Sequence, residues 1–488
     1  MSFPILPLRT LKSSLAALSL FIILSLTISP CLAQSAPEPR REQLLNGLNV
    51  LLWWRPTDAN VLLKLRIHSG AAFDLSGKAG TMALLGDTLF PNPATREYYT
   101  EELKGKLEVT TDYDAINITL SGPASQFESM VDLLHTALVA NQPTAETVSQ
   151  LREARAKIVK DISISPAAMA DRAIATRLFG DYPYGRPAAG TPETLAKIER
   201  GDLLFARERF LNPNNATLAI IGGVDERRAL RALRQLLGNW RKSETLIPAT
   251  FRQPEVSDAR TLLIDLPGAE TTEVRLAARG LARSDRDYFV SLLLALLARD
   301  RWQAAMPELG KTAFFVRHEA RALPGIFVMG AAVRSNEAAR ALTTARAVLK
   351  DLAQAQPPAV ELERARTEAL ALFNRRAEQP ESLADLWLER DGFKLASMTD
   401  QSRALSTVTP ADIQRVAARL FKDTQTAAVA VGNAAQLKAE LESAGGVELL
   451  GQPSEQKAQS ANESKTAPSK DILLPAKRQT TTPPARKP

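Results

Sequence analysis

Histidine is the side chain on which metal binding and acid–base chemistry most often depend, and this chain has three: His68, His135 and His318. A helix that grips one metal ion through two side chains needs them four residues apart, because only then do both project from one face. No two of these histidines lie within four residues of each other. The sequence therefore has no local two-histidine metal site, and each histidine is interpreted as structural or surface-exposed.

Other reactive patterns are missing as well. Cys31 is the only cysteine, which leaves no pair for a disulfide and excludes a cysteine-ligated metal site. The chain contains no Gly-x-Ser-x-Gly elbow, no Gly-x-x-x-x-Gly-Lys phosphate loop and no Gly-x-Gly-x-x-Gly turn. These absences argue against the serine-hydrolase, nucleoside-triphosphatase and dinucleotide-binding classes.

The two ends differ from the body. Arg9 and Lys12 precede an apolar run from Leu15 to Leu26, followed by Cys31-Leu32-Ala33, which predicts a signal peptide over residues 1–33 and a periplasmic or otherwise exported protein. An uncleaved membrane anchor is the alternative, although the run is shorter than the roughly 20 residues of a comfortable span. Residues 451–488 are rich in Gln, Ser, Thr, Lys and Pro and predict a disordered basic tail.

The basic character belongs mainly to this tail. The whole chain carries a net charge of +7, but the tail has seven Lys/Arg against three Asp/Glu, and the signal segment has two further cations. The body is therefore close to neutral. It lacks the broad basic footprint that phosphate binding requires, so we expect no nucleic-acid partner.

Between the two ends, one order of elements is predicted twice: strand pair, helix, strand pair, helix pair, strand. The first copy includes strands at 49–54, 61–68 and 216–221, and the second includes strands at 260–265, 272–278 and 427–431. This pattern predicts an α+β fold with two homologous domains, each a mixed sheet covered by helices on one face. The predicted boundaries are residues 38–245, 259–450 and a linker at 246–258.

Short phrases in the same order resemble the insulinase/pitrilysin-like (inverted zincin) metallopeptidase family from about residue 43 to 445. The resemblance rests on the order and spacing of several segments rather than on any one of them. They are Gly47–Val50, Gly80–Phe90, Tyr182–Pro187, Gly190–Glu193, Asn212–Asn215, Ile221–Val224, Pro324–Phe327, Glu361-Leu362 with Ala365-Arg366, Val408–Asp412 and Val431–Ala434.

The resemblance implies a zinc site that this chain lacks. Family enzymes carry His-x-x-Glu-His on a helix, with the two His as ligands and the Glu activating a water. The frame set by Gly80 and Phe90 places Ala83, Gly86 and Asp87 at these three positions, and Asp161 at the Glu that is the third ligand. A hard cation held between Asp87 and Asp161 is one alternative, and carboxylates that are solvated or paired with a neighbouring Arg or Lys are the favoured one.

The second half of the family site is also changed. The resemblance implies an Arg and a Tyr that hold the substrate backbone, and their positions fall at Pro307 and Ala313. Phe314 or Phe315 takes the Tyr place if the gap moves, but neither can donate a hydrogen bond. We therefore expect no catalytic, metal-binding or substrate-binding residues at these positions, and no zinc cofactor.

What the resemblance implies about function is a pseudo-peptidase. The leading hypothesis is a non-catalytic subunit of the bacterial cell envelope that pairs with a homologous subunit bearing the intact zinc motif and holds unfolded peptides in a shared chamber. The first alternative is a structural or peptide-binding envelope protein without a peptidase partner. The second is an active zinc peptidase with an atypical site.

Overall fold

The structure is a computed structural model that describes residues 37–244, 251, 254–255, 257–310, 314–422 and 424–450. The predicted signal peptide, the predicted tail and part of the predicted linker lie outside these residues. The described chain forms two six-stranded mixed sheets, each packed with helices. The predicted fold class is thereby confirmed.

The first sheet has the strand order β1-β2-β6-β3-β5-β4, and the second has the order β12-β7-β11-β8-β10-β9. In each sheet one internal pair of strands is parallel: β2 with β6 in the first sheet and β7 with β11 in the second. The pairs from β6 to β4 in the first sheet, and from β11 to β9 in the second, are antiparallel. The strands are β1 Arg40–Gln43, β2 Asn49–Trp54, β3 Asn60–Ile67, β4 Lys106–Thr111, β5 Ile116–Pro123, β6 Ala216–Gly222, β7 Thr261–Asp265, β8 Thr271–Arg279, β9 Phe314–Glu319, β10 Ile326–Arg334, β11 Ala427–Gly432 and β12 Val447–Leu449.

The helices follow corresponding strands in both halves, except that the first half has one more helix, α2, before its fourth strand. In the first half they are α1 Thr81–Asp87, α2 Pro93–Glu101, α3 Phe127–His135, α4 Ala145–Ser163, α5 Pro166–Phe179, α6 Pro192–Leu195, α7 Arg200–Phe210 and α8 Glu226–Leu237. In the second half they are α9 Tyr288–Ala305, α10 Ala338–Gln354, α11 Ala359–Glu378, α12 Pro380–Phe393, α13 Met398–Ser406, α14 Pro410–Phe421 and α15 Ala434–Ser443. No helix within the described ranges is both long and apolar enough to cross a membrane.

Local chemistry explains where several helices begin. Asp225 precedes α8 and accepts a hydrogen bond from the Arg228 N–H, which satisfies one of the free donors of the first turn. Thr409 and Asp412 form a reciprocal capping box at the start of α14. Such signals are local, because the capping residue and the N–H that it binds lie within one helical turn.

The two halves cover each other. Helix α5 belongs to the first half of the chain but packs on β8 and β11 of the second sheet. Its residues Ala170, Ile174 and Leu178 form an apolar cluster with the outer face of that sheet. Helix α12 does the reverse and packs on β3 and β6. Each sheet therefore has helices of its own half on one face and one helix of the opposite half on the other.

This exchange adds to the predicted architecture, in which helices cover one face of each sheet. The predicted order of elements does not include a helix that packs on the sheet of the opposite half. The buried residues of α5 and α12 contact a sheet that lies more than 80 residues away along the chain, so a local pattern does not show which face must be apolar. The outer faces of both sheets are buried only because the halves are joined.

Candidate functional site

Helix α1, which carries the three family positions, is buried from Thr81 to Gly86. The carboxylate of Asp74 supports its first turn by accepting hydrogen bonds from the N–H groups of Gly80 (2.7 Å) and Met82 (2.8 Å). Burial raises the pKa of Asp74 to about 7 despite these donors. Asp74 is thus committed to holding the helix.

Ala83 and Gly86 lie inside the protein and carry no functional group. Ala83 is 2% exposed. A Cβ added at Gly86 would lie 2.9 Å from Oγ1 of Thr111 and 3.3 Å from Cγ1 of Val109, both on β4. The glycine allows β4 to pack tightly against α1, so the space that a glutamate side chain would need at this position is filled.

Asp87, the last residue of α1, is paired with Arg155 of α4. Nε of Arg155 lies 2.6 Å from Oδ2 of Asp87, and Nη2 lies 2.7 Å from Oδ1. The same Nη2 donates to the carbonyl oxygen of Ala83 at 3.2 Å. The guanidinium therefore bridges positions 83 and 87, where two ligands four residues apart would face one metal ion.

Asp161 is exposed and stands six residues after Arg155 on the same helix. Six residues correspond to about 600° of helix rotation, so Asp161 projects roughly 120° away from the face that Arg155 presents to α1. The structure does not bring it to the Asp87–Arg155 pair. Of the alternatives for Asp87, it shows the pairing with an arginine.

Parts of the chain are similar in sequence to known proteins. Residues 197–369 match the family model described as "Peptidase M16 inactive domain". An uncharacterised zinc protease of Mycobacterium tuberculosis is 24% identical over 217 residues, which is 43% of this chain and 49% of that protein. The chain is insulinase-like (M16) in sequence over the part that these matches cover.

The matched relatives are covered only in part. A second uncharacterised zinc protease, from Mycobacterium leprae, is 24% identical over 251 residues, 50% of this chain and 56% of that protein. The chain thus matches about half the length of these curated relatives. Their activity is accordingly not carried over to this insulinase-like chain.

Solved structures share the fold over most of the described chain. A protease from Helicobacter pylori has a TM-score of 0.74 at 18% identity, covering 81% of this chain and 99% of that one. A peptidase M16 inactive domain from Pseudomonas fluorescens has a TM-score of 0.71 at 16% identity, covering 81% and 98%. A chain of complex III2 from Candida albicans has a TM-score of 0.70 at 13% identity, covering 84% and 100%.

A zinc ion of the M16 type does not fit the residues present. Positions 83 and 86 offer a methyl group and a hydrogen atom, and the carboxylate at 87 is bound on both oxygens by Arg155. A guanidinium cannot give up its positive charge to become a ligand. Within the described residues, no three His, Cys, Asp or Glu side chains are grouped so that they could hold a metal ion.

In the insulinase-like second half, the positions that correspond to the family's Arg and Tyr also lack polar side chains. Pro307 is exposed at the start of a short 3-10 turn, and Ala313 lies outside the described residues. Phe314 is buried with its ring 4.7 Å from that of Trp302, while Phe315 lies under the guanidinium groups of Arg275 and Arg317. Neither phenylalanine is placed to polarise a carbonyl group.

The three histidines lie in different parts of the structure and make different contacts. His68 and His318 are partly buried, and desolvation by the surrounding protein lowers the pKa of each to about 4. Nε2 of His68 lies 2.9 Å from Oγ1 of Thr217, and Nε2 of His318 accepts a hydrogen bond from the Leu281 N–H at 2.9 Å. His135 is at the surface end of α3, with Nε2 3.4 Å from Nδ2 of Asn239.

Arg155 is the site residue that sequence reasoning missed. It follows the inward pattern of α4, on which Val148 and Val159 are buried. An arginine one turn before a buried valine is not unusual by itself. Its role becomes visible only when the register of α4 against α1 is known.

Proposed function

We propose that this insulinase-like chain is a non-catalytic subunit of the cell envelope that pairs with a homologous subunit bearing an intact His-x-x-Glu-His motif. The observation that carries the proposal is the Asp87–Arg155 ion pair, which occupies the place where metal ligands would converge. The match of residues 197–369 to an inactive M16 domain agrees with it. The chain then contributes the wall of a peptide chamber rather than its chemistry.

One sheet edge supports peptide holding in particular. Strand β4 packs beside α1 and lies at the end of its sheet, where it is paired with β5 alone among the described strands. An edge strand offers free main-chain donors and acceptors to an extended peptide. The peptide would lie beside the degenerate site and reach the partner's metal across the chamber.

The test is to purify the tagged chain from its native envelope and identify stoichiometric partners by mass spectrometry. We expect a homologue with the complete zinc motif, one zinc per pair, and peptide cleavage by the pair only. Asp87→Asn in this chain should leave cleavage by the pair intact, whereas loss of a motif histidine in the partner should abolish it. Stoichiometric zinc and cleavage by this chain alone would refute the proposal.

A structural role without a peptidase partner is the second candidate. It is favoured by the absence of the Arg and Tyr at Pro307 and Ala313, which a silent partner would commonly supply, and by the shared fold with a chain of complex III2. Recovery of a stable complex without any zinc-motif homologue and without proteolysis would support this candidate over the first.

The envelope assignment rests on the predicted signal peptide over residues 1–33. Cell fractionation, with the N-terminal residue of the purified chain determined by mass spectrometry, tests it. A mature chain that begins near Gln34 in the periplasmic fraction is expected. An intact N-terminus in the membrane fraction would indicate an uncleaved anchor, and a cytoplasmic chain would refute export.

A further inference from the structure

A cavity of about 690 Å³ lies at the opposite end of α1 from Asp87. It is enclosed by the residues before α1, the first turn of α1, the turn that follows α5, and α7. This volume lies within the roughly 300–1,000 Å³ that small-ligand sites typically have. Asp87 and Arg155 are not among its lining residues, so it is separate from the degenerate metal site.

Six of the residues that line this cavity are aromatic. The rings of Phe73 and Phe210 lie 5.2 Å apart, and those of Phe179 and Tyr182 are stacked at 5.9 Å. Phe251 lies 6.1 Å from Phe73, and it lines the cavity as well. Such walls favour a flat or bulky apolar group, because aromatic side chains provide large apolar area and ring contacts.

Two arginines supply positive charge in the same cavity. The guanidinium of Arg209 lies over the rings of Phe205 and Phe210, at 5.8 and 5.5 Å from their centres. Arg186 donates to the carbonyl oxygens of Asp74 (2.7 Å) and Ala72 (3.4 Å). Nε of each arginine is buried and has no hydrogen-bond partner among the described residues. Burial lowers the pKa of Arg186.

The acidic residues of the cavity form no ion pair with these cations, although the charges of Asp74 and Asp181 favour the charged form of Arg186. Both carboxylate oxygens of Asp74 accept main-chain N–H groups, those of Gly80 and Met82, and Asp202 is paired with Lys78. Asp181 and Glu255 are exposed at the rim. Within the described chain, neither guanidinium forms an ion pair with a carboxylate. Partly buried charges are normally paired, so the cavity has a place for an anionic group.

We propose that this cavity binds an apolar carboxylate, with its aromatic or large aliphatic group among the rings and its carboxylate on Arg209. A guanidinium recognises a carboxylate through two parallel N–H···O bonds, and the neighbouring rings of Phe205 and Phe210 help to hold the guanidinium of Arg209 in place. Both the C-terminal residue of a peptide and a free aromatic acid have this chemistry. The inference does not depend on the pairing proposed above, since the cavity is formed by this chain alone.

The test is calorimetric titration of the full chain with four probes: N-acetylphenylalanine, a pentapeptide ending in phenylalanine, and the C-terminal amide of each. Binding of at least one acid, at least about tenfold tighter than its amide, is expected, because a charged hydrogen-bonded pair is lost with the amide. A preference for the pentapeptide acid identifies a peptide C-terminus as the ligand, and a preference for N-acetylphenylalanine identifies a free acid.

Two variants assign the contact. Arg209→Met should weaken acid binding at least about tenfold and leave amide binding within about twofold, while Arg209→Lys should lie between it and the wild type. Arg231→Met, on an exposed position of α8, is the matched control and should change neither. Phe205→Ala removes a wall residue that is 53% exposed, and should weaken acid and amide equally without unfolding the chain.

The proposal fails if neither acid binds at about 1 mM. It also fails if the amides bind as tightly as the acids, or if a folded Arg209→Met variant binds the acids like the wild type. Urea unfolding of every variant separates loss of binding from loss of structure. None of these outcomes depends on a partner subunit or on peptide cleavage.

Discussion

At the residue scale, the positions that correspond to the family's zinc motif take part in a contact that keeps two helices together. In an M16 enzyme, the metal ligands lie on the two helices that correspond to α1 and α4, so the metal would link them. Here the guanidinium of Arg155 holds both carboxylate oxygens of Asp87 and the carbonyl of Ala83. Both side chains of the pair are about one-quarter exposed or less, so solvent screens the attraction only in part.

A double-mutant cycle on Asp87→Ala and Arg155→Met should give a coupling energy of roughly 0.5–1 kcal/mol in urea unfolding. The coupling energy should lie at the upper end of the range for partly exposed ion pairs, because two N–H groups of Arg155 contact the two carboxylate oxygens of Asp87. The control is the same cycle on Lys242 and Glu244, which are 58% and 84% exposed and should show almost no coupling. Equal coupling in both cycles would show that Arg155 does not anchor α1.

Desolvation of the partly buried His318 makes stability depend on pH in a defined direction. Its folded pKa is lowered to about 4, so the folded state keeps the ring neutral while the unfolded chain binds a proton below about pH 6.5. Stability is therefore fully present above pH 6.5 and falls as the pH approaches 4. Between pH 6.5 and 5 this one group accounts for about 2 kcal/mol.

His318→Asn should accordingly lose about 2 kcal/mol less than the wild type when unfolding at pH 5 is compared with unfolding at pH 7. Asp74, whose raised pKa acts in the opposite direction over this range, is present in both proteins and cancels in the comparison. The surface variant His135→Asn is the control and should follow the wild-type pH dependence. Identical slopes for His318→Asn and wild type would contradict the assignment.

At the element scale, the two crossing helices decide how much of each sheet is buried. Trp387 of α12 is fully buried beneath the first sheet. Its ring lies 6.1 Å from that of Trp53 on β2, and its Nε1 donates to the carbonyl of Pro37 at 3.0 Å. One side chain of the second half thus contacts two segments of the first.

Trp387→Ala should reduce the free energy of unfolding by about 3–5 kcal/mol, because it leaves a large cavity between α12 and the sheet. The matched control is Trp54→Ala on the same strand as Trp53, where the side chain is 49% exposed and the loss should stay below about 1 kcal/mol. Urea unfolding followed by circular dichroism measures both. A similar small loss for the two variants would show that α12 is dispensable for the sheet.

At the scale of the whole molecule, the exchange of α5 and α12 makes the halves mutually dependent. Without the second half, the apolar outer face of the first sheet, with Leu51, Leu62 and Ile221, would be exposed to water. The polar contacts agree, because Asp391 of α12 accepts hydrogen bonds from Thr217 of β6 (2.5 Å) and is paired with Arg41 of β1 (3.0 Å). We therefore expect one cooperative unit rather than two separable domains.

A protease site inserted between residues 245 and 250 tests this directly. After cleavage, the two fragments should remain together through gel filtration and should unfold in a single transition. The fragment 37–244 expressed alone should aggregate or bind hydrophobic dyes, because its sheet lacks α12. Two fragments that separate and unfold independently would contradict mutual dependence.

Much of this protein could be predicted from the sequence. The strands at Asn49–Trp54 and Ala216–Gly222 are runs of apolar residues, and α8 begins at a capping Asp225, so local chemistry predicts each of them. The count of three separated histidines likewise excluded a helical two-histidine metal site without any structure. These features depend on residues that are neighbours in the chain, which is why a linear pattern contains them.

Only the tertiary structure decided what fills the degenerate site and what holds the halves together. Arg155 reaches Asp87 across 68 positions of the chain, and α12 reaches β6 across more than 150. Such contacts depend on helix register and on the reciprocal crossing of the halves, neither of which leaves a periodic signal. The sequence determined which side chains stand at the family's metal-binding positions, whereas packing between distant segments determined what those side chains contact.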